Sequence, residues 1–264
     1  MISAAIITLN EESNIGDCIE SVRALCDDIV VLDSGSSDRT REIAEEKGAR
    51  VFTQSYLGDG PQKNRAVELA ASDWVLSIDA DERATPELCA QIRALDVTNA
   101  EPDAYRLRRK TYIGNRWIAH NGWYPDRIVR LFDRRKAAFT NRYGHARVEG
   151  GKVTDLDGDL LHYSFDDIAQ LIYGQKFAIR DALAFYEQGK TSGPVKPVLH
   201  GIWGTFRSLV LRGGCLQGID GFTVAMSSGL KSYMKYAILN EMHRDPEALA
   251  SYRKKYGRLI GEKK

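Results

Sequence analysis

The sequence predicts an α/β fold: a doubly wound mixed sheet with an antiparallel extension, followed by a helical C-terminal region. Three observations carry this prediction. Across the first ~95 residues, short β-branched apolar runs alternate four times with segments of helical periodicity. Between Ala104 and Tyr163 the alternation breaks into strand-like pieces joined by Gly, Asn and Pro turns. Beyond Asp166 the periodicity is helical.

In order along the chain, ISAAIITL (2–9) and DIVVLD (28–33) are short, β-branched apolar runs, the pattern of buried parallel strands. GARVFTQ (48–54) reads as the third strand, PQKNRAVELAA (61–71) as a helix and DWVLSID (73–79) as the fourth strand. A helix starts at Thr85, with Pro86 in its first turn and Glu87 at the positive end of its dipole. Such β-α units wind into a sheet with right-handed crossovers, and ligands of these sheets sit at the carboxyl ends of the strands. The polar clusters fall at those ends: Thr8, Asn10 and Glu11, then Asp33 to Asp38, then Asp79 to Glu82. AYRLRRKTYI, DRIVRLFDR and DLLHYSF read as antiparallel strands, and 167–188, 197–212, 218–240 and 246–258 as helices. The expected domains are 1–163, split into 1–104 and 105–163, and the helical 164–264.

Composition narrows the class. With 264 residues, 43% of them hydrophobic, the chain can bury a core. The net charge of +1 conceals an asymmetry: residues 1–104 hold nine Lys/Arg against 21 Asp/Glu, 105–147 hold 12 against two, and 148–264 hold 16 against 13. The four cysteines, Cys18, Cys26, Cys89 and Cys215, form no CxxC pair, which speaks for reduced core thiols over zinc or a disulfide framework. The N-terminal stretch reads as a strand, not an export signal, and no apolar run of about 18 residues predicts a membrane span.

Asp79-Ala80-Asp81 closes an apolar strand, and two carboxylates so spaced approach one hard cation. Mg2+ or Mn2+ takes such oxygen ligands and keeps positions open for phosphate oxygens. A bare DxD is also a solvated acidic turn; its neighbours favour the metal. In VVLDSGSSDRT (30–40) Asp33 ends a strand where it can accept from a base or ribose, while Ser37 or Asp38 caps the next helix. Gly58-Asp59-Gly60 precedes Lys63 and Arg65, which either pair with a diphosphate or lie on a solvated helix face.

IITLNEESNIGDCIESV, IVVLDSGSSDRT, QKNRAVELAASDWVLSIDADE and GWYPDRIVRLF, read in order, resemble family 2 glycosyltransferases with a GT-A fold. RWIAHNGWYPDRIVRLF, LHYSF and VLRGGCLQGIDGF narrow the resemblance to lipopolysaccharide core glycosyltransferases of the WaaE (KdtX) type. The resemblance implies that Thr8, Asn10, Glu12 and Asp33 line the nucleoside pocket, with Lys63 near the donor. It makes Asp79 and Asp81 the donor-contacting and metal-binding carboxylates, and His162 a late histidine near metal and diphosphate, with a core histidine hydrogen-bonded to backbone as the alternative. It implies transfer with inversion, which needs a general base. Relatives place a His-Glu pair after the WYPD segment; here the stretch reads Tyr143-Gly144-His145-Ala146-Arg147-Val148-Glu149, with Ala146 at the Glu position. Asp126, His145 and Glu149 are the alternatives.

Trp123, with Trp117 and Tyr124, offers flat faces for sugar stacking or for packing a turn. The +10 of residues 105–147 asks for an anionic partner. A phosphorylated lipid-linked saccharide suits it, with Arg106 and Arg130 among the acceptor contacts; nucleic acid is disfavoured, since no helix-turn-helix, zinc or RNP pattern is present. The tail mixes Ile202, Trp203 and Phe206 with Arg207 and Arg212, suiting a membrane interface, or packing on the catalytic domain or on a second subunit. The leading expectation is an inverting transferase moving glucose from a UDP donor to an inner-core heptose, cytoplasmic and peripheral to the inner membrane. The alternatives are another polysaccharide or protein acceptor, or a non-catalytic nucleotide-sugar-binding protein, the latter suggested by Ala146.

Overall fold

The computed structural model describes residues 1–97, 99, 101–140, 146–174 and 176–256. The chain forms two compact units, Met1–Lys110 with Pro125–Ser164, and Thr111–Tyr124 with Phe165–Lys264.

The first unit begins with β1 (Ile2–Thr8), α1 (Ile15–Arg23), β2 (Asp28–Asp33), α2 (Thr40–Glu46), β3 (Arg50–Thr53), α3 (Asp59–Leu69) and β4 (Trp74–Asp79). A short β5 (Glu82–Ala84) leads into α4 (Pro86–Arg93), whose N-cap is Thr85, its side chain accepting from Leu88 N at 3.2 Å. Along the chain follow β6 (Ala104–Ile113), β7 (Arg116–Trp117), which lies in the second unit, β8 (Asp126–Asp133), β9 (Ala138–Phe139), β10 (Val148–Glu149) and β11 (Val153–Phe165). The strand order is β3-β2-β1-β4-β8-β6-β11-β5. β1 runs parallel to β2 and β4, and β2 to β3, whereas β8 joins β4 and β6 antiparallel and β5 pairs antiparallel with β11. This is the mixed sheet that the sequence predicts.

Alternation along β1 and its neighbours builds two cores. Ala4 and Ile6 on β1, with Leu76 and Ile78 on β4, face Ile19 and Val22 of α1 and Leu88 and Ile92 of α4. Ala5, Leu32 and Val75 face Ala66 and Val67 of α3 on the other side, with Phe132 and Phe139. Each fully buried Ile or Leu contributes roughly 1.5–3 kcal/mol relative to exposure. β11 lies close to α4: a Cβ added at Gly158 would fall 2.6 Å from Leu88 Cα.

Several cations of the basic middle are answered by carboxylates of the same chain. Successive side chains on a strand point to opposite faces, so Arg106, Arg108 and Lys110 share a face of β6, and Asp155, Asp157 and Asp159 share a face of neighbouring β11. Arg106 Nε meets Asp155 Oδ1 at 2.6 Å, Arg108 meets Asp159 at 3.2 Å, and Lys110 meets Asp159 at 2.8 Å. Arg127 of β8 extends the ladder to Asp155 at 3.1 Å. Charge counted by segment hides this, because the answering carboxylates lie about 49 residues away in sequence.

In the second unit, Tyr112 and Ile113 at the end of β6 pair with Trp117 and Arg116 of β7. Its helices are α5 (Ile168–Tyr173), α6 (Lys176–Glu187), α7 (Val195–Phe206), α8 (Gly218–Arg244) and α9 (Pro246–Tyr256). The single helix expected over 167–188 is two, divided after Tyr173. The helix expected over 197–212 ends as a π-turn at Arg207–Leu211. Leu183, Leu239 and Met242 form one small core, and Ile113, Ile118, Leu171 and Val224 another. Among the described residues no helix is long and apolar enough to cross a membrane. Cys18, Cys26 and Cys89 are free and buried as expected, but Cys215 is exposed.

Candidate active site

Register brings the polar strand ends together. β1 lies between β2 and β4, with Thr8 opposite Asp33 and Ile7 opposite Asp79, so the carboxyl ends of three parallel strands finish level. Two loops are then tied across this edge. Asn10, at φ 55°, donates its N–H to Ser36 Oγ at 2.8 Å and accepts from Ser37 N at 2.8 Å. Glu12 accepts from Arg39 N at 3.0 Å and donates its own N–H to Asp38 Oδ2 at 3.2 Å. Asp38 also accepts from Thr40 N at 3.0 Å, but the N-cap of α2 is Arg39 and carries no side-chain cap, so neither Ser37 nor Asp38 takes the capping position expected of them. Asp33 is fully buried, and its Oδ2 accepts from Gly35 N at 2.8 Å and Ser36 N at 2.9 Å. Its carboxylate therefore shapes the loop after β2. Thr8 is buried at the end of β1, and its hydroxyl has no partner among the described residues.

Asp79 ends β4 between two cations. Lys63 Nζ of α3 lies 2.9 Å from Oδ1, and Arg130 Nη2 of β8 lies 2.6 Å from Oδ2. Burial alone raises the Asp79 pKa, but Arg130 and Lys63 outweigh it and hold the carboxyl well below the usual carboxylate range. Lys63 is itself buried, 3.6 Å from Asp59 and 5.6 Å over the Phe139 ring.

Arg130, expected at the acceptor, is only 4% exposed and sits inside this network. Its Nη2 also meets Glu82 Oε1 at 2.5 Å, and Glu82 Oε2 accepts from Asp79 N at 3.0 Å. Burial lowers a guanidinium pKa, but Asp79 and Glu82 reverse this and raise that of Arg130. Arg109 continues the chain of charge, 3.4 Å from Glu82 and 2.6 Å from Asp126 Oδ2. Arg106 belongs to the ladder with Asp155 described above. Glu82 and Arg109 are the members to which the motifs assign no role. Glu82 directly follows the DAD triplet, yet only the pairing of β5 with β11 turns it inward, where it is fully buried.

Asp81 and His162 are brought together by the same pairing, in which His162 lies opposite Glu82. His162 Nε2 lies 3.2 Å from Asp81 Oδ2, and Tyr163 N donates to Asp81 O at 2.9 Å. Among the described residues no three His, Cys, Asp or Glu side chains converge as a metal cage. A carboxylate and an imidazole as the protein donors nevertheless fit Mg2+ or Mn2+, which keep several ligand positions for water and phosphate oxygens. Asp79 is already held by two cations, so Asp81 is the freer carboxylate of the pair. Cys18 donates to Asp79 O at 3.5 Å, and burial, then Glu82, Asp81 and Asp79, push its thiol well up, away from nucleophilic chemistry.

His145 lies outside the described residues. Ala146 N donates to Asp59 Oδ2 at 2.7 Å, placing Ala146 at the start of α3. Glu149 pairs with Ala138 between β10 and β9. Trp123 belongs to the second unit, where it lies 6.0 Å from the Phe165 ring and packs on the Ile113 and Ile118 cluster.

Residues 3–168 match the family model of glycosyl transferase family 2. An uncharacterised glycosyltransferase of Rickettsia felis is 31% identical over 253 residues, 91% of this chain and 89% of its own. The lipopolysaccharide core biosynthesis glycosyltransferase LpsC of Rhizobium meliloti is 29% identical over 258 residues, 92% of this chain and 93% of its own. Among solved structures, glucosyl-3-phosphoglycerate synthase of Mycobacterium tuberculosis, in complex with Mn2+ and uridine-diphosphate-glucose, is 27% identical. That match has a TM-score of 0.36 and covers 42% of this chain and 44% of that one. Mixed sheet, strand-end carboxylates and relatives together define the class, a nucleotide-sugar-dependent glycosyltransferase of GT-A fold. The chain belongs to glycosyl transferase family 2.

Proposed function

We propose that this glycosyltransferase moves glucose with inversion from a UDP donor to a heptose of a lipid-anchored lipopolysaccharide inner core, at the cytoplasmic face of the inner membrane. The observation that carries the donor half is the strand-end arrangement, in which Lys63 and Arg130 fix Asp79 beside the Asp81–His162 pair. The acceptor half draws on likeness to LpsC, whose name states lipopolysaccharide core biosynthesis. Thr8, Asn10, Glu12 and Asp33 frame the nucleoside, the last three by shaping the two tied loops. Asp81 and His162 hold Mg2+ or Mn2+, which when bound neutralises charge developing on the diphosphate leaving group. Lys63 adds a cation to the donor side, and the ionised Asp79 accepts from donor hydroxyls. Asp126, oriented by Arg109, removes the acceptor proton as the new bond forms.

The test is a thermal-shift screen of nucleotide sugars. The correct donor raises the melting temperature with Mg2+ or Mn2+ and loses the effect with chelator, following RT ln(1 + [L]/Kd). No stabilisation by any UDP-sugar with metal overturns the donor reading. A second reading, an uncharged polysaccharide or protein acceptor, gains support from the internal pairing of Arg106, Arg108 and Arg127. Transfer at equal rates to phosphorylated and dephosphorylated core saccharides favours it, and dependence on the phosphates excludes it.

A further inference from the structure

The second unit holds a cavity of about 290 Å3, near the lower end of the range of small-molecule sites. Arg207, Arg212, Lys231 and Lys235 line it, against the single carboxylate of Asp181. Asp181 is already shared, 3.0 Å from Arg180 and 3.5 Å from Lys231. Among the described residues no carboxylate lies within ion-pairing distance of Arg207, Arg212 or Lys235.

Two helical devices gather these cations. Arg212 N donates to Arg207 O at 3.0 Å, closing the π-turn that ends α7. Residues five apart on an α-helix point about 140° away from each other. A turn closed by an i→i+5 bond instead stacks the two residues it joins, and such turns recur at functional sites. On α8, Ser228, Lys231, Ser232 and Lys235 follow the i, i+3, i+4, i+7 spacing of a single helix face. Arg212 is also held in place. A Cβ at Gly122, where φ is 76°, would fall 2.5 Å from Arg212 Cδ, so only glycine leaves that side chain its room. Asn121 N donates to Arg212 O at 2.9 Å, and the buried Asn121 side chain donates to Ser208 Oγ at 2.9 Å.

The Ser228 and Ser232 hydroxyls are turned back to the carbonyls of Val224 and Ser228, so the cations are the groups left to recognise a ligand. Burial lowers the Lys235 pKa, and Lys231 and Lys190 add to this against Asp181, a crowding that an anion relieves. Paired guanidinium groups suit phosphate, whose oxygens they clasp with two parallel hydrogen bonds. One phosphate monoester brings a charge of about −1.5 to −2 at neutral pH. Two phosphate groups therefore match the three unanswered cations together with Lys231.

We propose that the Arg207–Arg212–Lys231–Lys235 cavity binds a soluble ligand bearing two phosphate groups, a diphosphate or a bisphosphorylated sugar. The proposed transfer reaction uses only the strand-end groups, so this site is additional to it and either reading can fail without the other.

Isothermal titration calorimetry in EDTA, which removes the metal that the donor reading requires, tests the site with inorganic pyrophosphate and glucose 1,6-bisphosphate. At least one of them binds saturably, beyond the response to sodium chloride of equal ionic strength. Arg207→Gln with Arg212→Gln weakens that binding roughly a hundred-fold, at about tenfold for each charge-assisted contact. Lys235→Gln, on the α8 wall, weakens it about tenfold, and both variants keep the wild-type circular dichroism. Tighter binding of pyrophosphate assigns a diphosphate, tighter binding of the sugar assigns a bisphosphorylated saccharide, and both uphold the site. No saturable binding of either probe, or binding untouched in folded protein carrying the arginine or the Lys235 substitutions, overturns it. Binding to vesicles of phosphatidylcholine and phosphatidylglycerol with neither soluble probe bound assigns the cations to a lipid surface and overturns it as well.

Discussion

Arg130 shows how one residue's burial decides its role. In sequence it is one cation of a basic run, but its guanidinium is shared between Asp79 and Glu82 at the ends of two strands. Removing one member of a buried ion network leaves the remaining charges uncompensated, at about 3–5 kcal/mol. Arg130→Met is therefore expected to destabilise by that order in urea unfolding, and to abolish metal-dependent donor stabilisation; a variant of wild-type stability contradicts the network. Asp126 sits at the other end, 2.6 Å from Arg109 and more than a third exposed. A general base contributes on the order of 10²–10⁴-fold, so under the proposed role of Asp126, Asp126→Asn is expected to lower kcat by at least 10²-fold while donor stabilisation persists. An unchanged kcat leaves His145 as the candidate.

At the scale of elements, Asp28 joins three pieces of the sheet unit. Its carboxylate takes Arg50 of β3 at 2.8 and 3.0 Å and Ala71 N, after α3, at 2.8 Å. Burial alone raises the Asp28 pKa, but Arg50, Ala71 N and Ser3 outweigh it and lower it. A carboxyl whose folded pKa is depressed stabilises above its unfolded pKa of about 3.9, and that contribution is lost as pH falls through the folded value. Asp28→Asn is expected to remove on the order of 1–2 kcal/mol at neutral pH, read from urea midpoints. It should also flatten the loss of stability below about pH 4; an identical acid limb in both proteins contradicts the assignment. The Arg106–Asp155 ladder, partly exposed on both sides, contributes far less per pair, typically ~0–1 kcal/mol. Its value is to cancel like-charge repulsion along β6.

At the scale of the molecule, the sheet unit and the helical unit have separate cores. In the helical unit α7 and α8 approach closely because glycine lies at the contact: a Cβ on Gly229 would meet Thr205 Oγ1 at 1.9 Å and Gly201 O at 2.9 Å. Gly229→Val is expected to force the helices apart and cost ~1–3 kcal/mol or more. Amide hydrogen exchange of α7 and α8 should then rise while β1, β2 and β4 stay protected. Equal loss of protection in both units contradicts separate cores.

Much of the fold was legible because buried parallel strands are continuous apolar runs, and because polar side chains at their carboxyl ends interrupt those runs locally. ISAAIIT, DIVVLD and WVLSID, with the acidic clusters that follow them, carry that information within a few residues each. Strand order and burial carry the rest. Arg130 finds Glu82 across 48 residues, and Arg106 finds Asp155 across 49, only because β8 and β11 are laid beside particular neighbours. The sequence by itself determined a mixed α/β sheet with carboxylates at the carboxyl ends of its parallel strands. Tertiary structure alone decided which cations those carboxylates hold, since a charge's partner is set by distance through space and not along the chain.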